Sequence, residues 1–430
     1  MGNIEAEAPL KQFQDYLEKT YPAFHRVAEQ RVLSPYAVVY RWPSNAGTAL
    51  EGGKNKPVLF LAHYDVVPAE QTKWTVPPFD GELRDGYVYG RGALDMKNTL
   101  ISLMDAAEEL CTQGFSPRRE IWFAFGGDEE RNGTYGAEKI AQWFASQNLR
   151  FEWILDEGGV IAEDQIKDLE KPLALVGIEE KGYLSLELSV AQAPGHASKP
   201  PRIQAAAVLA RALTRLSKRS FPPRLIPTVE RFFIGLAPFA PKKWAWVIRY
   251  PRLFFPMLAV LADNMGSDFS AMLRTTVAMT QLEGSAADNV MPSLVRAVIN
   301  LRLLYPWKVE TAVGFIKKTI NDDRVVVKIH QLATDPVPAT EAQARRVGPG
   351  WEALEEAIEE IFPGTAILPY LMTATTDSRH YQTLSEGIFR FAPVCLKKEE
   401  LARIHGHDER ISTKNLESGV QFYIRLFKNA

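Results

Sequence analysis

The stretch Leu59-Phe-Leu-Ala-His-Tyr-Asp-Val-Val-Pro68 decides how this chain is read: an uncharged apolar run stops on a histidine and, two residues later, an aspartate. Residues 58–62, entered from Pro57, predict a strand buried in a parallel sheet. His63 and Asp65 then emerge at its carboxyl end, where open α/β sheets place their ligands. Side chains alternate along a strand, so the two share a side, and one can bind a metal while the other orients it. His-x-Asp alone is a short pattern, and a strand followed by a solvated turn carries the same letters.

Outward from that strand the first half of the chain alternates strand and helix patterns. Leu100, Ile101, Leu103, Met104, Ala107 and Leu110 fall at helical spacing over 98–113, and Gly114 ends the run. Ile121–Phe125 reads as the next strand and leads into Gly126-Gly-Asp-Glu-Glu130. A helix over 135–147 and a strand over 151–155 follow, the latter ending on Asp156-Glu157. Repeated β-α-β predicts an α/β catalytic domain, a mostly parallel sheet with helices on both faces.

Composition limits what such a sheet can serve. The chain has 430 residues, 46% hydrophobic and 24% charged, which suits a globular protein of two or three domains. A net charge of -2 gives no basic field, so nucleic acid is not an expected partner. Two cysteines, Cys111 and Cys395, leave the redox compartment open. Met1–Gln30 is polar, without the apolar core and cleavage site of a signal peptide, so no targeting segment is expected in the chain as given. Localisation stays open, a trimmed secreted or membrane-anchored form included. The most apolar later stretch, 253–262, is far shorter than the roughly 20 residues a spanning helix needs.

His63, the Glu129-Glu130 pair and Asp156 each follow a predicted strand, and Asp95 lies in the loop Tyr89–Asn98 that opens a helix. Successive strands deliver such residues to one sheet edge. Ile404-His-Gly-His-Asp-Glu409 offers one or two further imidazoles. A mixed His/carboxylate set is the ligand chemistry of a hydrolytic zinc or other divalent site. A carboxylate between two imidazole-bearing loops suits two metals about 3.5–4 Å apart, because a bridging anion offsets their repulsion. Of the adjacent glutamates, one would bind metal and the other act as general base. A serine hydrolase would need Gly-x-Ser-x-Gly and a one-zinc protease His-Glu-x-x-His, and neither occurs.

These residues sit in an ordered series: His63-Tyr-Asp-Val-Val-Pro68, Gly90-Arg-Gly-Ala-Leu-Asp-Met-Lys97, Gly127-Asp-Glu-Glu130, Leu155-Asp-Glu-Gly158, Gly195-His-Ala-Ser198, Asn289-Val-Met-Pro292 with Arg302, Thr376-Asp-Ser-Arg379 and His405-Gly-His-Asp-Glu409. The series resembles the di-zinc aminoacylase and carboxypeptidase family, which includes carboxypeptidase G, carboxypeptidase S and aminoacylase. Within it the nearest resemblance is to the secreted members that make and cleave N-fatty-acyl amino acids, with carboxypeptidase S close behind. The resemblance implies two Zn2+, other divalent ions being alternatives, with Asp95 bridging, His63 and Asp156 completing one ion, and Glu130 and His405 the other. It further implies Glu129 as general base and Asp65 as the residue that holds the His63 ring. Met96, where an acidic residue often follows the bridging aspartate, and Asp408, in place of the usual Asn, depart from the family pattern without removing a ligand. His407 stays open beside His405 on sequence alone.

From about Tyr183 the pattern changes to strand (184–190), helix (204–217), strand (294–303), helix (307–321) and strand (325–329), which predicts a small α+β lid over 183–334 inserted between catalytic segments 1–182 and 335–430. The proline-rich Asp335-Pro-Val-Pro-Ala339 marks the return. By the resemblance, His196 in the lid polarises the scissile carbonyl, reaching the partner's site in dimeric members. Asn289 and Arg302 receive the substrate, Arg302 gripping its free carboxylate. An insertion at about 221–280 carries Phe232, Phe233, Phe239, Trp244, Trp246, Phe254 and Phe255. It reads either as a local helical core or as an apolar channel or lipid-facing surface for a fatty acyl chain. The expected substrate is an N-acyl amino acid or, alternatively, a short peptide cleaved by a carboxypeptidase.

Overall fold

The computed structural model describes residues 4–45, 55–164, 169, 171–219, 221–265 and 267–430. A sheet of eight strands carries the site. In spatial order they are Glu29–Ser34, Ala37–Trp42, Ile121–Gly126, Val58–His63, Ile154–Glu163, Ile388–Lys397, Leu173–Glu180 and Ala366–Met372. The four central strands, from Ile121–Gly126 to Ile388–Lys397, run parallel. Ala37–Trp42 pairs antiparallel on one side, and Leu173–Glu180 on the other. Alternation splits the Val58–His63 strand between two cores. Phe60 and Ala62 pack under helices Lys97–Thr112, Pro349–Ile361 and Thr413–Asn429, through Leu100, Trp351 and Phe427. Leu59 and Leu61 pack on the opposite face with Ile140 and Phe144 of helix Ala137–Ser146. Burial on both faces explains why the strand has no polar residue before His63.

Strand Ile154–Glu163 starts later and runs further than the sequence suggests, so Asp156 lies inside it rather than at its end. That displacement matters at the site.

Beyond Glu180 the chain enters the lid, an antiparallel sheet ordered Thr276–Glu283, Leu294–Leu303, Gly182–Ala191, Val326–Ile329. Leu184, Leu186, Leu188 and Val190 alternate inward against helices Ala205–Lys218 and Val309–Ile320. Two bridges, Glu180 to Val337 and Tyr183 to Thr334, pin the outgoing and returning segments side by side. Residues 276–280, read from sequence as the end of the insertion, instead belong to the fourth lid strand, Thr276–Glu283.

The rest of the insertion forms helices Pro227–Leu236, Lys242–Arg249, Phe255–Met265 and Ser267–Leu273. None of their described residues lines the cleft that holds the site. Val229, Phe232, Phe233 and Leu236 pack on Leu173, Ala366, Leu368 and Leu371, at the outermost strands of the catalytic sheet. The approach is close: a Cβ on Gly235 would meet Leu368 Cδ2 at 2.7 Å. Thr228 Oγ1 also donates to buried Glu179 Oε2 at 2.5 Å. Lys181 Nζ reaches the carbonyl of Arg274 at 2.7 Å, tying the far end of the insertion to the same junction.

Candidate metal centre

His63 is the last residue of a buried strand and is itself 1% exposed. Its Nδ1 lies 3.3 Å from Asp65 Oδ1, and Asp65 accepts from the backbone N–H groups of Glu129 (3.1 Å) and Glu130 (3.2 Å). Asp65 therefore fixes the imidazole and the glutamate turn together, leaving Nε2 to face the cleft. There Nε2 is 2.9 Å from Asp95 Oδ1 and 3.3 Å from Glu157 Oε1. Asp95 turns its second oxygen to His405, with Oδ2 2.9 Å from Nε2, and Glu130 Oε1 stands 3.2 Å from the same nitrogen. The result is two donor groups, His63/Asp95/Glu157 and Asp95/Glu130/His405, sharing one carboxylate.

The geometry departs from the sequence-derived set at one position. Asp156 is buried but turned away from the cleft, its Oδ2 accepting from Ser378 N at 2.8 Å and its Oδ1 from Glu157 N at 2.9 Å. Because neighbouring strand residues face opposite ways, Glu157 takes the place given to Asp156 beside His63. His407 is exposed and belongs to neither group, whereas His405 does.

The loop bearing Asp95 is built to hold it. Gly92 has φ +83 and a Cβ there would lie 2.4 Å from Val66 Cγ1, so only glycine lets the loop lie against the chain after His63. Glu409, fully buried, accepts from Leu94 N (2.8 Å) and Asp95 N (3.2 Å), and pairs with Arg91 Nη1 at 2.6 Å. This positioning role escaped the sequence reading, although Glu409 lies in the quoted C-terminal motif. His405 holds a left-handed φ of +60, uncommon outside glycine and consistent with a functional constraint. Asp408, the departure from the family pattern, accepts from Thr75 N and Oγ1 and braces that loop. Met96 is simply core.

Electrostatics favour cations here. Burial raises Asp95, yet its two imidazoles outweigh that and hold it well below the usual carboxylate range. Glu157, with less help, is pushed up to about 8 by burial and by Asp95. Glu129 is raised by burial and by Asp377. Without ions, the crowded acids are met by protons, on raised Glu157 and Glu129 and on the imidazoles of His63 and His405; divalent ions would take the place of those protons. The distances fit too: donors about 2.0–2.1 Å from a tetrahedral zinc lie roughly 3.4 Å apart, close to the separations of 2.9–3.3 Å seen in the two groups.

A profile described as Peptidase family M20/M25/M40 matches residues 59–429. The chain belongs to that family. Over 424 residues it is 35% identical to an N-fatty-acyl-amino acid synthase/hydrolase PM20D1 of Xenopus tropicalis, covering 98% of this chain and 81% of that protein. It is 36% identical over 428 residues to a probable carboxypeptidase S-like 2 of Dictyostelium discoideum, covering 98% and 80%. The fold matches a M20 family metallo-carboxypeptidase Sso-CP2 from Sulfolobus solfataricus with a TM-score of 0.69 at 16% identity, over 97% of this chain and 94% of that one. As an M20 chain, this is a metal-dependent hydrolase of mixed α/β architecture.

The M20 cleft has a volume of about 430 Å³ and is lined by the candidate metal donors Asp95, Glu130, Glu157 and His405, by Glu129, and by Tyr183 and Arg302 from the lid strands. Arg302 stacks on Tyr183, its guanidinium carbon 4.8 Å from the ring centroid, and has no salt bridge among the described residues. Arg379 also lines the cleft, its buried Nε and Nη2 lacking hydrogen-bond partners among the described residues. Its motif was legible in the sequence, its role as a second cation was not. His196 and Asn289 do not line this cleft. They meet each other instead, where strand Gly195–His196 pairs with Val290–Met291 and Ala197 N donates to the Asn289 carbonyl. His196 is exposed, with Nδ1 2.8 Å from Ser198 Oγ.

Proposed function

We propose that this chain is a di-zinc amidase that hydrolyses, and reversibly forms, the amide bond of N-acyl amino acids with long fatty acyl chains. The observation that carries the amidase is the shared-carboxylate donor pair set in one cleft with the cation Arg302, and the long acyl chain is supported by the synthase/hydrolase relative at 35% identity. Divalent cations held by the five donor residues would supply Lewis acidity to the scissile carbonyl and to the attacking water. Glu129 lines the cleft but belongs to neither donor group, which suits it to take the proton of the attacking water. It then delivers that proton to the amide nitrogen as the C–N bond breaks, so water is consumed and a carboxylate and an amine leave. Arg302 holds the amino acid's carboxylate through a bidentate pair, with Arg379 as a second positive charge. The test is zinc content of purified protein together with rates on N-oleoyl-, N-acetyl- and glycyl-phenylalanine.

A carboxypeptidase reading has a specific support, the carboxypeptidase S-like relative at 36% identity. Arg302 serves both readings, since peptides also end in a carboxylate. Fastest cleavage of the glycyl substrate would select it.

His196 and Asn289 complete the site in this proposal by arriving from the lid of a second copy in a homodimer, with His196 donating to the carbonyl oxygen. Mixing Glu129→Gln and His196→Ala proteins would then restore activity that neither has alone. The insertion's outer face is proposed to touch lipid. Trp246, Tyr250 and Leu253 are more than half exposed, and 231–262 carries five basic and no acidic residues. Co-sedimentation with anionic but not neutral vesicles tests that contact.

A further inference from the structure

The cleft has two chemically different regions beside the metal donors. One is cationic, where Arg302 and Arg379 meet Tyr183 and Thr376 at the lid junction. The other is apolar. Leu94, Val160, Ala392, Val394, Leu396 and Ile404 line the same cleft; the first five form, with Ile411, a hydrophobic cluster of their own, and half-buried Ile404 packs against it. Three of them are tied by sequence to the metal donors. Leu94 precedes Asp95, Ile404 precedes His405, and Val160 lies three residues beyond Glu157 on the same strand. Ala392, Val394 and Leu396 come from the neighbouring strand, Ile388–Lys397, which runs parallel to Ile154–Glu163. Both strands extend past the donors, and their continuation makes the wall.

We infer that this wall is the acyl subsite, a binding surface for the hydrocarbon chain attached to the scissile carbonyl, and that its residues set chain-length preference. The inference rests on the amidase reading above. With the carboxylate held at Arg302 and the carbonyl at the metal donors, the acyl group needs the cleft's remaining surface, whose largest continuous part is this apolar wall, Asn132, Gln331 and Thr375 being the polar exceptions. A dipeptide would bring a charged amino terminus there, and none of the six wall residues is an acid that could receive it. The wall's side chains are backed by the rest of their cluster, and Leu396 is also held by strand pairing with Ala162. Each methylene laid against it leaves water, so kcat/KM rises with chain length by up to several-fold per carbon until the wall is covered. This assigns chain selection to the catalytic sheet, and none of it to the aromatic insertion, whose residues do not line the cleft.

The experiment is the ratio of kcat/KM for N-myristoyl- over N-acetyl-phenylalanine, below the micellar concentration, in the wild type, Ala392→Leu and Val394→Ala. Ala392→Leu fills the wall, and the ratio should fall by about tenfold or more. Val394→Ala enlarges it, and the longest accepted chain should lengthen. Melting temperature and zinc content report whether each variant folds, and the two changes act in opposite directions, so loss of one protein leaves the other decisive. A wild-type ratio well above one that both folded variants reproduce unchanged would overturn the subsite while leaving the amidase intact. So would a flat wild-type series with good acetyl cleavage. If no acyl-phenylalanine of any length is cleaved and glycyl-phenylalanine is, the amidase reading fails first and the subsite falls with it.

Discussion

Glu129 and Glu130 are neighbours in one turn, held by the two oxygens of Asp65, yet only Glu130 joins a donor group. Glu129→Gln should therefore keep its zinc and lose kcat by about a hundredfold or more, the range a general base contributes. Metal analysis beside turnover checks it, and near-normal turnover would reject the role. Asp156 and Glu157 make the complementary case. Glu157→Ala should lower bound zinc, whereas Asp156→Ala, which removes the acceptor of Ser378 N, should lower stability and leave zinc binding to the folded protein largely intact. Loss of zinc in Asp156→Ala alone would reverse the assignment made from the geometry. For the substrate contacts, Arg302→Ala should chiefly raise KM, since a carboxylate is bound equally before and during reaction, while His196→Ala should depress kcat. At this scale most of the site was legible, because His, Asp and Glu at strand ends have few structural reasons to be there. Choosing between Asp156 and Glu157 was not, because it turns on one residue of strand register.

Elements differ in how plainly they announce themselves. Val58–His63 and Ile121–Gly126 are buried on both faces and read as continuous apolar runs. Thr276–Glu283 alternates weakly, is mostly exposed, and follows an aromatic helical stretch, so nothing in its letters separates it from the insertion. The insertion's docking was equally hidden, since an aromatic face does not say which neighbour it covers. Glu179 gives a handle on that docking. Burial pushes its carboxyl up to about 7 from 4.5, with Thr228 and Arg390 opposing the rise. A carboxyl raised in the folded state favours folding while protonated, so its contribution is complete below pH 4.5 and lost as pH climbs through about 7. At 1.36 kcal/mol per unit the rise from 4.5 to about 7 is worth about 3 kcal/mol. Glu179→Gln, which stays neutral, should match the wild type near pH 5 and melt several degrees higher at pH 8. Equal melting at both pH values would mean Glu179 is not perturbed.

On the scale of the whole molecule, the metal donors join distant parts of the chain: His63, Asp95, Glu130, Glu157 and His405 come from two strands and three loops. Ions bound there should act as a clasp between the amino-terminal half and the last 30 residues. Zinc held about 100-fold above its dissociation constant stabilises by about 2.7 kcal/mol per independent site, so chelation should lower the melting temperature as well as abolish turnover. Zinc added back should restore both. Unchanged melting after complete metal removal would show that the clasp carries no load.

The lid is joined to the catalytic sheet by two segments lying side by side, an arrangement that by itself makes a door on one hinge pin. The insertion alters the mechanics. It leaves the lid after Ala205–Lys218, seats Phe232 and Phe233 on the catalytic sheet, and re-enters at Thr276, with Lys181 Nζ gripping the carbonyl of Arg274 next to the pin. A door fastened at a second point away from its pin does not swing freely. Arg302 stands on the strand paired with Thr276–Glu283, so the carboxylate grip is mounted beside that second fastening. This enzyme should consequently admit substrate through a cleft whose width is nearly constant, and a spectroscopic ruler between lid and sheet should read almost the same distance with and without a bound product.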